Sequence, residues 1–145
     1  MAFTFGFFYD SALTTQSAPG AELLAAQDSD LSLPPTDSTV YFGSPATAGT
    51  VKAVDAINPG VAPIVMSVAD ALPSSGAPAS EIKLALSFIG LDTAVAGASL
   101  ELGTQVLSGA ANKITIYVRR TSAVAAVGTY TDITCKTQEL AEAAV

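Results

Sequence analysis

The sequence predicts an all-β fold, a single antiparallel immunoglobulin-like β-sandwich, with a jelly-roll-like sandwich as the alternative. Three observations carry that expectation. Glu81 to Phe88 alternates, with Ile82, Leu84, Leu86 and Phe88 on one face and Glu81, Lys83, Ala85 and Ser87 on the other. Lys113 to Arg119 repeats the pattern, setting Ile114, Ile116 and Val118 opposite Lys113, Thr115, Tyr117 and Arg119. Successive strand side chains point to opposite faces, so each run has one buried and one wet face. Turn residues divide the chain into about eight or nine short segments of this kind, the spacing of a sandwich.

Taken in order, Phe3 to Tyr9 sets Phe3, Phe5, Phe7 and Tyr9 against Thr4, Gly6 and Phe8, a strand with aromatic content on both faces. Thr14 to Gly20 is a polar loop, and Ala21 to Ala26 fits a short strand better than a helical turn. Asp28 to Asp37 contains Pro34-Pro35, which forbids continuous ladder pairing and predicts an extended linker or an edge crossing. Val40-Tyr41-Phe42 and Val51 to Ala56 are short strands. Asn58-Pro59-Gly60 is a turn, proline fixing φ and glycine free to take positive φ. Ile64, Met66 and Val68 point inward, and Leu72 to Ala79 is a surface loop.

Leu91 to Ala98 is alanine-rich and fits a helical turn or a strand equally. Gly97, Gly103 and Gly109 lie six apart. That is the period of a hexapeptide β-helix, but the spacing breaks on both sides and three positions do not make a repeat. A last strand runs from about Tyr130 to Thr137, and Gln138 to Val145 reads as a flexible or partner-bound tail. The antibody-type Cys-Trp-Cys signature is absent, since tryptophan is missing and cysteine occurs once. Tyr130 is placed for a tyrosine corner, with a rim aromatic as the plainer reading.

At 145 residues the chain fits one domain spanning 1–145, large enough to bury roughly 70% of its unfolded surface. Charged residues make up 13% of it, about half the usual ~25%. A surface of Ser, Thr and Ala with few charges fits a subunit packed in an assembly better than a free monomer. The formal charge of −7 disfavours nucleic acid and anionic membranes alike, since both are bound through clustered Lys and Arg. No apolar run approaches the ~20 residues of a membrane helix. The N-terminus lacks a signal-peptide pattern, which predicts synthesis in the cytoplasm.

Chemistry is scarce. With no histidine in the sequence, the serine triad, the Cys-His pair and histidine metal sites are excluded. Cys135 shares the parity of Ile133 and reads as a small buried residue. Asp28, Asp30 and Asp37 form the densest acidic cluster, but they lack the glycine and distal glutamate of an EF-hand loop and read as a solvated loop. The glycines match neither the dinucleotide nor the P-loop pattern, so no cofactor is expected. Arg119-Arg120 is the one basic doublet. On a strand its members face opposite ways, one on the sheet surface and the other in a salt bridge at an interface.

The phrases Val40-Tyr41-Phe42-Gly43-Ser44, Asn58-Pro59-Gly60-Val61, 95–103, 114–120 and 127–133 resemble small structural proteins of tailed bacteriophage virions. The likeness covers roughly residues 38–137. It implies a non-enzymatic subunit: a capsid decoration or cement protein, or else a tail tube, collar, baseplate or fibre-attachment component. Other virion proteins and further copies of itself are the implied partners, and the virion the implied location. A carbohydrate-binding module, with Tyr41, Tyr117 and Tyr130 as its aromatic platform, is the reading of a different class. The interface candidates are Phe3, Phe5, Phe7, Phe8, Tyr9, Arg119 and Arg120, with 1–9 as a strand that completes a neighbour's sheet.

Overall fold

The computed structural model describes residues 3–17, 22–24, 27–29, 35–71, 78–121, 128–130 and 133–145, the short strands at 22–24, 27–29 and 128–130 by their backbone alone. In chain order the elements are β1 (Gly6–Phe8), β2 (Glu22–Leu24), β3 (Gln27–Ser29), β4 (Thr36–Gly43), β5 (Val51–Asp55), β6 (Val65–Asp70), β7 (Ile82–Ala85) and the short helix α1 (Gly90–Thr93). There follow β8 (Leu100–Glu101), β9 (Val106–Leu107), β10 (Ile114–Arg120), β11 (Gly128–Tyr130), β12 (Ile133–Thr137) and β13 (Leu140–Ala144). The fold is all-β, and each pairing among the described residues is antiparallel. Among the described residues thirteen strands replace the eight or nine expected, because several are only two or three residues long and leave little alternation to read.

The first sheet has the order β1-β4-β10-β7, the second β2-β12-β6-β8 and the third β13-β5-β9, while β11 and β3 form a separate pair. Their inner faces share one core. Phe5, Phe7, Val40, Phe42, Ile82, Leu84, Ile116 and Val118 come from the first sheet and its approach; Met66, Ile133 and Cys135 come from the second, and Val51, Ala53 and Val106 from the third. Each large side chain buried here contributes about 1.5–3 kcal/mol relative to exposure. Phe42 lies centrally among the rings, its centroid 5.3 Å from that of Phe7 and 6.2 Å from that of Phe5.

Period-two reading holds on β10, where Ile116 and Val118 are buried, and on β12, where Ile133 and Cys135 are. It fails on β7. That strand ends at Ala85, so Leu86 and Phe88, expected inside, are 52% and 56% exposed, while Glu81, expected on the wet face, is 1% exposed. Leu91 to Ala98 resolves as a helical turn, α1. Gly97, Gly103 and Gly109 all take positive φ and reverse the chain between antiparallel elements, which excludes a parallel β-helix. The expected linker at 28–37 holds β3 at its start, and β4 begins directly after Pro35; residues 30–34 and the loop residues 72–77 lie outside the described residues.

The C-terminal segment is the other correction. Instead of a flexible or partner-bound tail, β13 pairs with β5 of its own chain from Leu140↔Asp55 to Ala144↔Val51. Alanine-rich and weak in β-propensity, it is held by tertiary partners. Glu142 Oε2 accepts hydrogen bonds from the Thr4 backbone N–H (2.7 Å) and from Thr4 Oγ1 (3.0 Å), tying the two ends of the chain together. Gln138 Oε1 accepts from Val65 N–H, and its Nε2 donates to the Pro63 carbonyl.

Candidate interaction surface

Arg119 and Arg120 do face opposite sides of β10. Arg120 is buried, its Nε donating to Glu81 Oε2 at 3.0 Å. Arg119 lies on the outer face and spans two carboxylates, with Nε at 2.8 Å from Asp37 Oδ1, Nη2 at 3.0 Å from Asp37 Oδ2 and Nη1 at 2.7 Å from Asp92 Oδ1. The guanidinium holds the Asp37 carboxyl below the usual range. Both arginines are therefore joined to carboxylates of their own chain.

Of the acidic cluster, the side chain of Asp37 is the one described. Both Asp37 oxygens accept from Arg119, Asp28 sits in β3 opposite Thr129, and Asp30 lies outside the described residues. Tyr130, the tyrosine-corner candidate, pairs with Gln27; its ring is outside the described residues. Tyr41 and Tyr117 are half-buried, the first with Lys113 Nζ 5.7 Å from its ring centre and the second edge-on to Phe88.

The N-terminal aromatics divide. Phe5, Phe7 and Phe8 are buried within this chain, while Phe3 is 44% and Tyr9 50% exposed. β1 is an edge strand, and exposed edges invite pairing with other chains. Here the chain's own residues cover it: Tyr9 N–H donates to the Thr15 carbonyl and Ser17 N–H to the Phe7 carbonyl, both at 2.9 Å. Asp10 fixes this cover by accepting from Thr14 N–H, Thr14 Oγ1 and Thr15 N–H, bonds that lower its pKa, Thr15 most of all. Leu13, at φ 59°, turns inward and is 2% exposed. Within residues 3–9, β1 thus joins its own sheet through β4 rather than displaying aromatics on two faces.

The surface the alternation misses is at 86–95. Past Ala85 the chain folds back over the outer face of the first sheet. Leu91 is fully buried beneath it, Asp92 is tied to Arg119, and the Phe88 ring meets Tyr117 edge-on at 6.3 Å. Ser87 Oγ accepts from Gly90 N–H at 3.0 Å. Held in this way, the segment leaves Leu86, Phe88, Ile89 and Val95 at 52%, 56%, 79% and 71% exposure. The readable signal was Phe88-Ile89: adjacent large apolar residues before glycine break a period of two.

A second apolar tip caps the β5–β6 turn, where Ile57 is 83% and Val61 79% exposed. Its base is rigid. Asp55 Oδ2 accepts from Ile57 and Asn58 N–H, Gln138 Nε2 donates to Asp55 Oδ1, and Gly60 takes φ 74°. These bonds, Asn58 first, hold the Asp55 carboxyl below the usual range.

Elsewhere, an open depression of about 400 Å³ on the second sheet is lined by Val65, Ser67, Lys136, Thr137 and Gln138, and Gln138 is already engaged by Asp55, Pro63 and Val65. Burial pushes the Cys135 thiol up to about 12, which keeps it protonated and unreactive. Comparison of the chain with protein-family models, curated proteins and solved structures returns no match.

Proposed function

We propose that this chain is a non-enzymatic structural subunit of a bacteriophage virion, a decoration or cement protein that stabilises the head lattice, folded as an immunoglobulin-like sandwich. The observation that carries the reading is the pair of rigidly held apolar clusters, Leu86 to Val95 on the first sheet and Ile57 with Val61 on the β5–β6 turn. One follows β7 of the first sheet and the other lies on the turn from β5 of the third sheet to β6 of the second, separate places, as a subunit that meets two kinds of neighbour requires. Low charge supports the same reading, because a surface of Ser, Thr and Ala is covered at small desolvation cost. So do the ion pairs at Arg119 and Arg120, which pair both cations with carboxylates of the chain.

Mass spectrometry of virions purified from a lysate of the phage encoding this sequence tests the proposal. The chain is expected among the particle proteins. Its absence from intact particles contradicts the reading.

A further inference from the structure

We infer that the 86–95 face binds a second copy of this chain, forming a two-fold dimer. The inference rests on the structural-subunit reading only for its setting; the contact itself is a property of the isolated chain. Three observations commit the face to that occupant.

The first is area. Leu86, Phe88, Ile89 and Val95 expose half to four-fifths of their surface. At roughly 200 Å² for Phe88 and about 150 Å² for the smaller aliphatic residues these fractions leave about 400 Å² of surface on one short segment, within the range of the largest apolar patch on a typical monomer, which is often functional. A standard interface buries about 800 Å² on each partner, of which roughly 60% is apolar. The segment supplies most of that amount.

The second is charge. Across a two-fold axis each group meets the counterpart of its own neighbourhood, so a face with net charge repels itself. In a chain of formal charge −7, this face is balanced. Asp37, Arg119 and Lys83 stand in register across β4, β10 and β7 and share its outer side, and Asp92 joins Arg119. Two cations offset two carboxylates. An acidic or basic partner would find no complement here, whereas a second copy meets no net repulsion.

The third is the edge itself. β7 ends the first sheet, yet the Ile82 carbonyl on its outer side already accepts from Gly97 N–H at 2.7 Å. Continuous strand addition is blocked there. Contact must come from side chains, and past the end of β7 the exposed apolar ones are Leu86, Phe88, Ile89 and Val95.

Sedimentation equilibrium of the full-length chain, from about 1 to 100 μM, tests the inference. Wild type is expected at twice the chain mass. Ile89→Asp and Leu86→Lys, both at exposed positions, are expected to raise the dissociation constant at least ~30-fold, the loss of a central contact residue, with an unchanged circular dichroism spectrum. Ile57→Asp, on the other apolar tip, is expected to keep the dimer. A wild-type chain of single mass throughout this range overturns the inference, as does a dimer that survives both 86–95 substitutions or dissociates only with Ile57→Asp. Detection in virions is read separately, so failure of the dimer and failure of the virion reading are distinguishable.

Discussion

Arg120 and Glu81 form an ion pair sealed inside the protein: Nη2 lies 3.0 Å from Oε2, and the side chains are 5% and 0% exposed. The pair joins the end of β10 to the turn that starts β7, beside the backbone bond from Thr121 N–H to the Glu81 carbonyl. Removing one partner leaves a buried charge uncompensated, at a cost of about 3–5 kcal/mol. Arg120→Met and Glu81→Leu are each expected to lose that much in urea denaturation, and the double variant is expected to recover most of it. Additive losses would mean that the two side chains are stabilised separately.

Acid should weaken the fold through Asp10, Asp37 and Asp55, whose carboxyls are all held below the usual range by hydrogen bonds. A depressed pKa in the folded state contributes stability that is fully present above the unfolded value, near pH 4, and is lost as pH falls through the folded value. Midpoints of urea unfolding are expected to be flat above about pH 5 and to decline below pH 4. Asp55→Asn is expected to make that decline shallower. An identical slope in the variant would show that Asp55 does not contribute.

Gly109 and Gly49 differ in how a side chain would fit. Both take positive φ, but a Cβ on Gly109 would lie 2.7 Å from Ala48 Cα and Cβ, whereas one on Gly49 meets nothing within 4 Å. Gly49→Ala is expected to cost about 1–2 kcal/mol, the left-handed penalty alone. Gly109→Ala is expected to exceed it by at least ~1 kcal/mol, through overpacking and through its φ 101°, ψ 144° backbone, which side chains other than glycine's tolerate less than the left-handed region, read from thermal or urea unfolding.

Cys135 should be inert in the native protein. It is fully buried and its thiol is pushed up to about 12, so a thiol reagent at pH 8 is expected to label it only after denaturation. Cys135→Ser is expected to destabilise by about 1–3 kcal/mol, the cost of burying a hydroxyl without a partner. Prompt labelling of the folded chain would contradict this placement.

The fold class was legible because alternation is a local property, and on β10 and β12 the residues two apart that looked buried are buried. What escaped depended on distant residues. Glu81 looks like a wet-face residue until Arg120, 39 positions away, arrives beside it. Leu86 and Phe88 continue the pattern on paper, but α1 draws the chain out of the strand after Ala85. Residues 140–144 carry little strand propensity of their own and become β13 through β5 and Thr4. The 86–95 surface lay hidden in the assumption that a strand pattern persists to its last apolar residue.

The central claim, a head-decorating subunit, is tested most directly by its copy number in purified virions, measured by quantitative mass spectrometry against the major capsid protein. A decoration protein is expected to approach the count of the capsid protein. A chain absent from the particles, or present in only a handful of copies as a tail component would be, contradicts the account.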